Sequence, residues 1–248
     1  MLVIALLITL IAAPVFAQAT TNDVAAYSAL IQTPAGGLAP IATSTILDQR
    51  QQGAALAVRY AYIATNGSVG FNNLGATAVL PFGLQSTVSL TGGTLIPSCH
   101  DSGEACSPGL MLGAGGDTRL TSFRVAAGVR GSLSLNGELG YAKPRDVDYE
   151  LSGSVGVPFA LLIGATAPGM RIVPFITPAF GFSTEKVSLT NPGFGGTFSE
   201  TRSGQRFMIG GGVALTNPAS TIVANLGFQH VMIDGAKTQV GIAITFGR

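Results

Sequence analysis

The C-terminal segment alternates between bulky apolar and small residues with a period of two. From Thr238 onward, Gly, Ala, Thr and Gln occupy the odd positions, and the even positions hold Val240, Ile242, Ile244 and Phe246. Successive side chains of a β-strand point to opposite faces, so this pattern predicts a strand with one large apolar face and one small face. Such a contrast is typical of a strand that meets lipid on one side and a lumen on the other.

The same alternation recurs through the chain after residue 52. It is clear in four other segments, weaker in 135–141 and 151–161, and weakest in 74–82 and 84–95. With the segment 170–182, we predict about ten strands, and any number from eight to twelve is compatible with the pattern. The predicted strands are 56–62, 74–82, 84–95, 123–130, 135–141, 151–161, 170–182, 206–215, 222–229 and 238–248. The fold class predicted is all-β, a transmembrane up-and-down antiparallel β-barrel.

The predicted connections alternate in length, as expected for such a barrel. The short ones are 81–84, 131–132, 165–169 and 216–220, and the longer ones are 97–118, 143–148 and 183–204. Two exceptions, Asn66-Gly67 and 233–237, are tight turns with Asn-Gly or Asp-Gly chemistry. An even strand count places both termini on the side of the short turns, the periplasm.

The composition excludes several classes of protein. The net charge is +1 with only 10% charged residues, which argues against a nucleic-acid binder. Two His and two Cys nearly exclude a metal site built from several such ligands, and we expect neither a metal nor a cofactor. A soluble β-sandwich is the alternative fold, but a water-exposed surface with so few charges would be poorly soluble.

The N-terminal segment predicts export. Residues 2–13 are apolar except for Thr9, and the run is shorter than the ~20 residues that a spanning helix needs. We interpret 1–17 as a signal peptide cleaved after Ala17, the alternative being an uncleaved anchor. Residues 18–52 form a periplasmic or plug segment, and 53–248 form the barrel.

These features together resemble the small bacterial outer-membrane β-barrels of the OmpA/OmpX/OmpW type, over roughly residues 52–248. The resemblance implies a place in the bacterial outer membrane, with lipid and the barrel-insertion machinery as partners. In that group a terminal aromatic residue on the last strand is the insertion signal, here Phe246. Gly247 and Arg248 follow it, so the match is offset by two residues. We expect a monomer.

Cys99 and Cys106 are the two thiols of an exported chain, with six residues between them in a predicted long loop. A local disulfide is expected in an oxidising compartment. The rival interpretation is a metal or redox pair that uses His100, which the spacing barely supports.

The few charged residues of the strands fall mainly in the small-residue phase, facing the lumen. They are Arg59, Arg124, Arg130, Arg171, Arg206, Glu138 and Glu150. A hairpin at 131–132 would place Arg124 and Glu138 close to opposite one another, as a cross-strand ion pair. The favoured interpretation is a network that fills a narrow barrel; the alternative is an arginine-lined pathway for anionic solutes.

Three prolines fall in two neighbouring strands, where each removes a donor from the hydrogen-bond ladder. Pro174 and Pro178 are four residues apart, and a hairpin at 165–169 would place Pro158 roughly opposite Ile176, between them. One hypothesis is a weakened seam on the lipid face, similar to the lateral openings through which some outer-membrane barrels pass hydrophobic molecules. Tolerated bulges that curve the barrel are the favoured alternative.

An enzyme is not expected, since its chemistry would have to use His100 or His230, and the proximity of His230 to Asp234 is weak evidence for acid–base catalysis.

The first function hypothesis is passage of small solutes, through the lumen or laterally into the membrane. The alternative is a structural or surface-binding barrel, adhesion-like, whose loops 97–118 and 183–204 meet outside partners. An open lumen favours the first, and a closed lumen favours the second.

Overall fold

The computed structural model describes residues 54–64, 69–83, 85–99, 108–143, 149–164, 169–191, 196–217, 222–232 and 237–247. Almost all of them lie in β-strands. The strands are β1 Ala55–Ala64, β2 Val69–Phe82, β3 Ser86–Cys99, β4 Gly109–Ala126, β5 Val129–Lys143, β6 Tyr149–Gly156, β7 Phe159–Ile163, β8 Arg171–Asn191, β9 Gly196–Thr216, β10 Ile222–Met232 and β11 Lys237–Gly247.

The strands close into a barrel. Each pairs antiparallel with its neighbours along the chain, and β1 pairs with β11, with Leu56 opposite Phe246. β6 and β7 are two parts of one interrupted strand, because both lie between β5 and β8 and no residue is gained or lost between them. The molecule is therefore a closed ten-stranded up-and-down β-barrel, and the predicted fold class and strand number are confirmed.

The alternation of large and small residues separates the two faces of the wall. In β11 the four bulky residues are between 43% and 51% exposed, whereas Ala243 and Thr245 between them are 2% and 1% exposed. Bulky apolar side chains also point outward from the other strands, with Leu226, Leu139 and Leu151 at least half exposed. An exterior of this kind suits lipid and would be very unfavourable in water, so the alternative of a soluble sandwich is wrong.

The turn predicted at 131–132 is wrong. The structure places it at Ala127 and Gly128, and Gly128 has a positive φ of 74°, a conformation that glycine adopts without strain. The alternation in 123–129 continues across this turn because the hairpin end is exposed, with residues 120–127 all exposed. Period-two patterning therefore does not locate the turn there.

Two predicted long loops are largely strand. β3 extends to Cys99 and β4 begins at Gly109, which leaves only 100–108 of the expected 97–118 loop between them. β8 and β9, of 21 residues each, occupy most of the expected 183–204 loop. Gly, Ser and Thr are frequent in these stretches, so the contrast between faces that marks a membrane-spanning strand is weak.

β8 and β9 also extend beyond their neighbours. Pairing of β6 with β8 ends at Lys186, and pairing of β10 with β9 ends at Phe207. Beyond these points 187–191 pair only with 196–200, and 201–206 have β8 as their single partner strand, among the described residues. We call 187–191 and 196–206 the projecting hairpin; it lies at the end of the barrel opposite the short turns.

Candidate functional site

An apolar cluster occupies the lumen at the short-turn end, beside β7, β8, β9 and β10. Its members come from the ends of four strands and pack together below the polar part of the lumen: Ala160, Leu162, Val173, Phe175, Ala214 and Val223. All are buried, and Phe175 is the largest of them. Side chains, rather than a water-filled channel, therefore occupy this end of the barrel.

Two opposite charges lie in the middle of the lumen. Arg59 on β1 is 4% exposed and Glu138 on β5 is 7% exposed, and they attract each other electrostatically across the barrel, since β2, β3 and β4 lie between their strands. A buried charge is very unfavourable unless it is paired, so this attraction offsets part of the desolvation of each group.

Glycines on the neighbouring strands make room for these two side chains. Gly75 is directly opposite Arg59, and a Cβ on it would lie 3.3 Å from Nε of Arg59. Gly115 is directly opposite Glu138, and a Cβ there would lie 3.0 Å from Cγ of Glu138. The high glycine content of the lumen face thus allows large charged side chains to lie along the wall.

Above the charged pair, two fully buried methionines fill the lumen. The Sδ of Met111 is 3.9 Å from Nη2 of Arg59 and accepts a hydrogen bond from Nδ2 of Asn73 at 3.5 Å. The Sδ of Met208 accepts one from Nε2 of Gln229 at 3.1 Å. A thioether sulfur is a weak acceptor, so these contacts fix the side chains mainly by packing.

A second buried carboxylate lies close to the first. Asp117 on β4 is buried, is attracted by Arg119 and is repelled by Glu138. The sequence pattern does not predict Asp117 as a lumen residue, because this position falls within the predicted 97–118 loop. The alternation of the outward Leu110 and Leu112 with the inward Met111 is the signal that could have identified this strand.

The structure brings together only some of the predicted lumen charges. Arg59 and Glu138 lie in the lumen, but Arg124 is exposed at the end of the β4–β5 hairpin, where it is opposite Arg130. The predicted pair of Arg124 with Glu138 is therefore wrong, and its cause is the turn at 127–128, which shifts the register of the hairpin. The side chains of Arg206, Glu150 and both cysteines lie outside the described part of the structure. His100 and the segments 1–17 and 18–52 also lie outside it.

The three prolines surround the interruption between β6 and β7. Pro158 lies in the interruption and faces the lumen, whereas Pro174 and Pro178 face outward. The O of Pro158 accepts a hydrogen bond from N of Ser134 at 2.9 Å, and N of Val157 donates to O of Pro178 at 3.0 Å. The partner of Ile176 is Phe159 rather than the predicted Pro158. Pairing of β7 with β8 also skips Val173 and Pro174, so the ladder is weakened on the β8 side of β7, whereas all five residues of β7 pair with β5.

A small cavity lies in the lumen immediately behind this interruption. Its lining residues come from β5, β6, β8, β9 and β10, and they are Asn136, Glu138, Ser154, Thr177, Ala179, Gly210 and Gln229. It has room for about one water molecule. A cavity of this size is far too small for the passage of a solute.

Other candidate chemistry is sparse in the described residues. Nδ1 of His230 lies 2.9 Å from Oγ1 of Thr238, and Asp234 is outside the described part of the chain. No group of three or more His, Cys, Asp or Glu side chains among the described residues is arranged to hold a metal ion. The described residues contain no helix long and apolar enough to cross a membrane.

No protein-family model matches the chain, and no curated protein matches it. Among solved structures it is similar to the N-terminal β-barrel domain of Pseudomonas aeruginosa OprF, with 9% identity, a TM-score of 0.36 and coverage of 80% of this chain and 98% of that one. It is also similar to the Acinetobacter baumannii outer membrane protein Omp33, with 13% identity, a TM-score of 0.31 and coverage of 81% and 100%. A third similar structure is the Ralstonia pickettii toluene transporter TbuX, with 8% identity, a TM-score of 0.32 and coverage of 79% and 90%.

The assignment of the fold depends on the strand pairing of this chain and not on those similarities. The wall is a closed antiparallel barrel, its exterior is apolar and its lumen holds small and polar side chains. That is the architecture of small outer-membrane β-barrels, the class that the sequence resembles.

Proposed function

We propose that this protein is an outer-membrane β-barrel that acts as a closed scaffold in the membrane and presents the projecting hairpin to partners outside the cell. On this proposal 1–17 is a cleaved signal peptide, both termini lie in the periplasm, and the monomeric barrel has lipid and the insertion machinery as its partners. It carries out no catalysis. The filled lumen carries the proposal, because an apolar cluster, two buried methionines and two buried side chains of opposite charge occupy the space that a diffusion pore would need.

The projecting hairpin supplies a surface for binding. Beyond Phe207, β9 pairs only with β8 among the described residues, so its other edge offers backbone donors and acceptors. An extended segment of a partner can add to such an edge as a further strand. The described side chains there are polar and exposed, and include Ser199, Thr201 and Ser203.

Conductance tests the closed lumen. The mature chain, residues 18–248, would be refolded, verified as a barrel by its heat-modifiable migration and inserted into planar bilayers. We expect no steady conductance. A variant with Phe175, Met111 and Met208 all changed to Ala shortens the large side chains of both filled parts of the lumen and serves as the matched control, for which we expect conductance above the baseline. Steady, anion-selective conductance of the unmodified barrel would overturn the proposal and favour a pore lined by Arg59.

Lateral passage of hydrophobic molecules is the second candidate. The observation in its favour is the interrupted strand, which leaves the wall with an incomplete hydrogen-bond ladder beside Pro158 and Pro174. The experiment compares uptake of a hydrophobic solute by cells that carry the unmodified barrel and the variant with Pro158, Pro174 and Pro178 changed to Ala. Reduced uptake by the folded variant supports a lateral route, whereas unchanged uptake rules it out.

A further inference from the structure

The cavity behind the strand interruption is lined mainly by oxygen-bearing side chains from several strands. Glu138 and Ser154 are cross-strand partners, and Thr177 and Gln229 lie on either side of Gly210 in one row of the sheet. Asn136 completes the polar lining, with Asp117 directly opposite it on β4. A carboxylate, two side-chain amides and two hydroxyl groups thus converge on one water-sized space.

Glycine keeps this space open. Gly156 is the cross-strand partner of both Asn136 and Ala179. A Cβ on Gly156 would lie 2.5 Å from Oδ1 of Asn136, closer than real Cβ contacts allow, and 3.0 Å from Cγ2 of Thr177, which is tighter than most such contacts. An alanine at 156 would therefore intrude on the cavity.

Two of the lining oxygens have no hydrogen-bond partner in the protein. They are Oδ1 of Asn136, whose residue is 8% exposed, and Oγ1 of Thr177, whose residue is 3% exposed. Gln229, which also lines the cavity, donates its Nε2 to Sδ of Met208. A buried acceptor without a partner costs free energy, so Oδ1 of Asn136 and Oγ1 of Thr177 favour a ligand that is positively charged or donates hydrogen bonds.

We propose that this cavity binds one small, hard cation, Na⁺ or Ca²⁺, held by oxygens of Asn136, Glu138, Ser154, Thr177 and Gln229. Hard cations take oxygen ligands, and the lining contains neither the imidazole nor the thiolate that transition metals prefer. A cation here also reduces the repulsion between Glu138 and Asp117. Because Arg59 already offsets part of the charge of Glu138, the neutral oxygens supply much of the binding.

The bound ion would connect the wall across its weakest place. Its ligands lie on β5, β6, β8 and β10, on both sides of the interruption at Val157 and Pro158. Where backbone hydrogen bonds are missing, ion–oxygen contacts hold these strands together. The ion therefore stabilises the folded barrel, and this structural role does not depend on what the projecting hairpin binds.

The test uses the whole mature barrel, folded in detergent, treated with a chelator and kept in choline chloride at constant ionic strength. NaCl, CaCl₂ or MgCl₂ is then titrated while far-UV circular dichroism follows thermal unfolding, and calorimetry measures binding. We expect a saturable rise of several degrees in the unfolding temperature with Na⁺ or Ca²⁺, and the ion that gives it identifies the ligand. Mg²⁺ is the control, because it demands near-ideal octahedral geometry and keeps several waters.

Three variants locate the ion. Gly156→Ala and Thr177→Val should each weaken binding about tenfold or more, since even partners outside the ligand shell change metal affinity by about 10–100-fold. Thr245→Val is the matched control: Thr245 is also buried with an Oγ1 that lacks a partner, but it does not line the cavity, so binding should be unchanged. An unmodified barrel that responds to no cation, or equally to all of them, overturns the proposal. So does a response that persists in Thr177→Val.

Discussion

Three glycines on the outer face of the barrel lie directly opposite phenylalanines on the neighbouring strands. The pairs are Gly131 with Phe123, Gly153 with Phe182, and Gly211 with Phe228. In each, a Cβ on the glycine would collide with or crowd the phenylalanine ring, so the ring lies over the bare backbone. This arrangement covers glycine backbone with apolar surface, the device called aromatic rescue.

Replacing such a glycine should therefore cost stability. Gly153→Ala forces the Phe182 ring to move and should lower the free energy of unfolding by about 1–3 kcal/mol, the usual cost of overpacking. Gly137→Ala is the matched control, because Gly137 also faces outward and the nearest atom to its Cβ would be O of Ser154, 3.8 Å away. The chain has no Trp, so circular dichroism in a urea titration follows unfolding. Equal effects of the two substitutions would contradict this account.

The two opposite charges buried in the lumen make a second prediction at this scale. Arg59→Met removes the cation that attracts Glu138 across the lumen and should destabilise the barrel by about 3–5 kcal/mol. Adding Glu138→Gln should recover part of the loss, which a double-mutant cycle in choline chloride measures. Arg124→Met, at the exposed hairpin end, is the control and should change stability by less than about 0.5 kcal/mol. Strict additivity of the Arg59 and Glu138 changes would show that the two groups do not interact.

At the scale of elements, the interrupted strand is the irregular feature of the wall. Both parts keep the register of one continuous strand, with Asn136 opposite Gly156 before the break and Leu133 opposite Phe159 after it. The chain therefore does not bulge; Val157 N still donates to Pro178 O and Pro158 O still accepts from Ser134 N, and the ladder there lacks only the donors that Pro158 and Pro178 do not have. The favoured expectation of bulges does not hold at this break.

Restoring the donor at position 158 should tighten the wall locally. The backbone O of Pro158 already accepts a hydrogen bond from Ser134 on β5. In an antiparallel pair the N and O of one residue point toward the same neighbouring strand, so Pro158→Ala would direct a new N–H at β5. We expect hydrogen exchange at the amides of Ser134 and Val157 to slow about tenfold, as one added bond of about 1 kcal/mol implies. Pro81→Ala, at the exposed end of β2, should leave both rates unchanged. No slowing in Pro158→Ala would mean that the gap has another cause.

At the scale of the whole molecule, the two ends of the barrel differ. Short turns and both ends of the described chain lie at one end, and the projecting hairpin lies at the other. The exposed apolar side chains surround the wall between them. In a membrane this polarity predicts that the hairpin faces the outside and the short turns face the periplasm.

Cysteine labelling of intact cells checks this orientation. In a background with Cys99→Ser and Cys106→Ser, Ser203→Cys in the projecting hairpin should react with a membrane-impermeant maleimide. Gln85→Cys, beside the short turn between β2 and β3, should react only after the cells are broken open. Both positions are exposed, so accessibility in the free protein does not distinguish them. Labelling of Gln85→Cys in intact cells would reverse the proposed orientation.

The sequence by itself determined the wall of this protein. Period-two alternation is a local property of the sequence. Because each strand meets lipid on its outer face and carries small residues on its inner face, the contrast between the two faces is strong. The outward-facing residues of β11 and β10 could therefore be predicted directly. Where the strands leave this environment the contrast disappears, which is why the turn at 127–128 and the length of β8 and β9 could not be predicted.

Only the tertiary structure decided which lumen residues meet. Glu138 is attracted by Arg59, although three strands lie between β1 and β5, and Arg124 is not its partner. The reason is that the partners of a lumen side chain depend on the register of every strand around the closed barrel. The cavity beside Thr177 and Gly156 likewise exists only where five strands meet, and its amide and hydroxyl oxygens form no sequence motif. Local patterning fixes the direction of each side chain, whereas closure of the barrel fixes its neighbours.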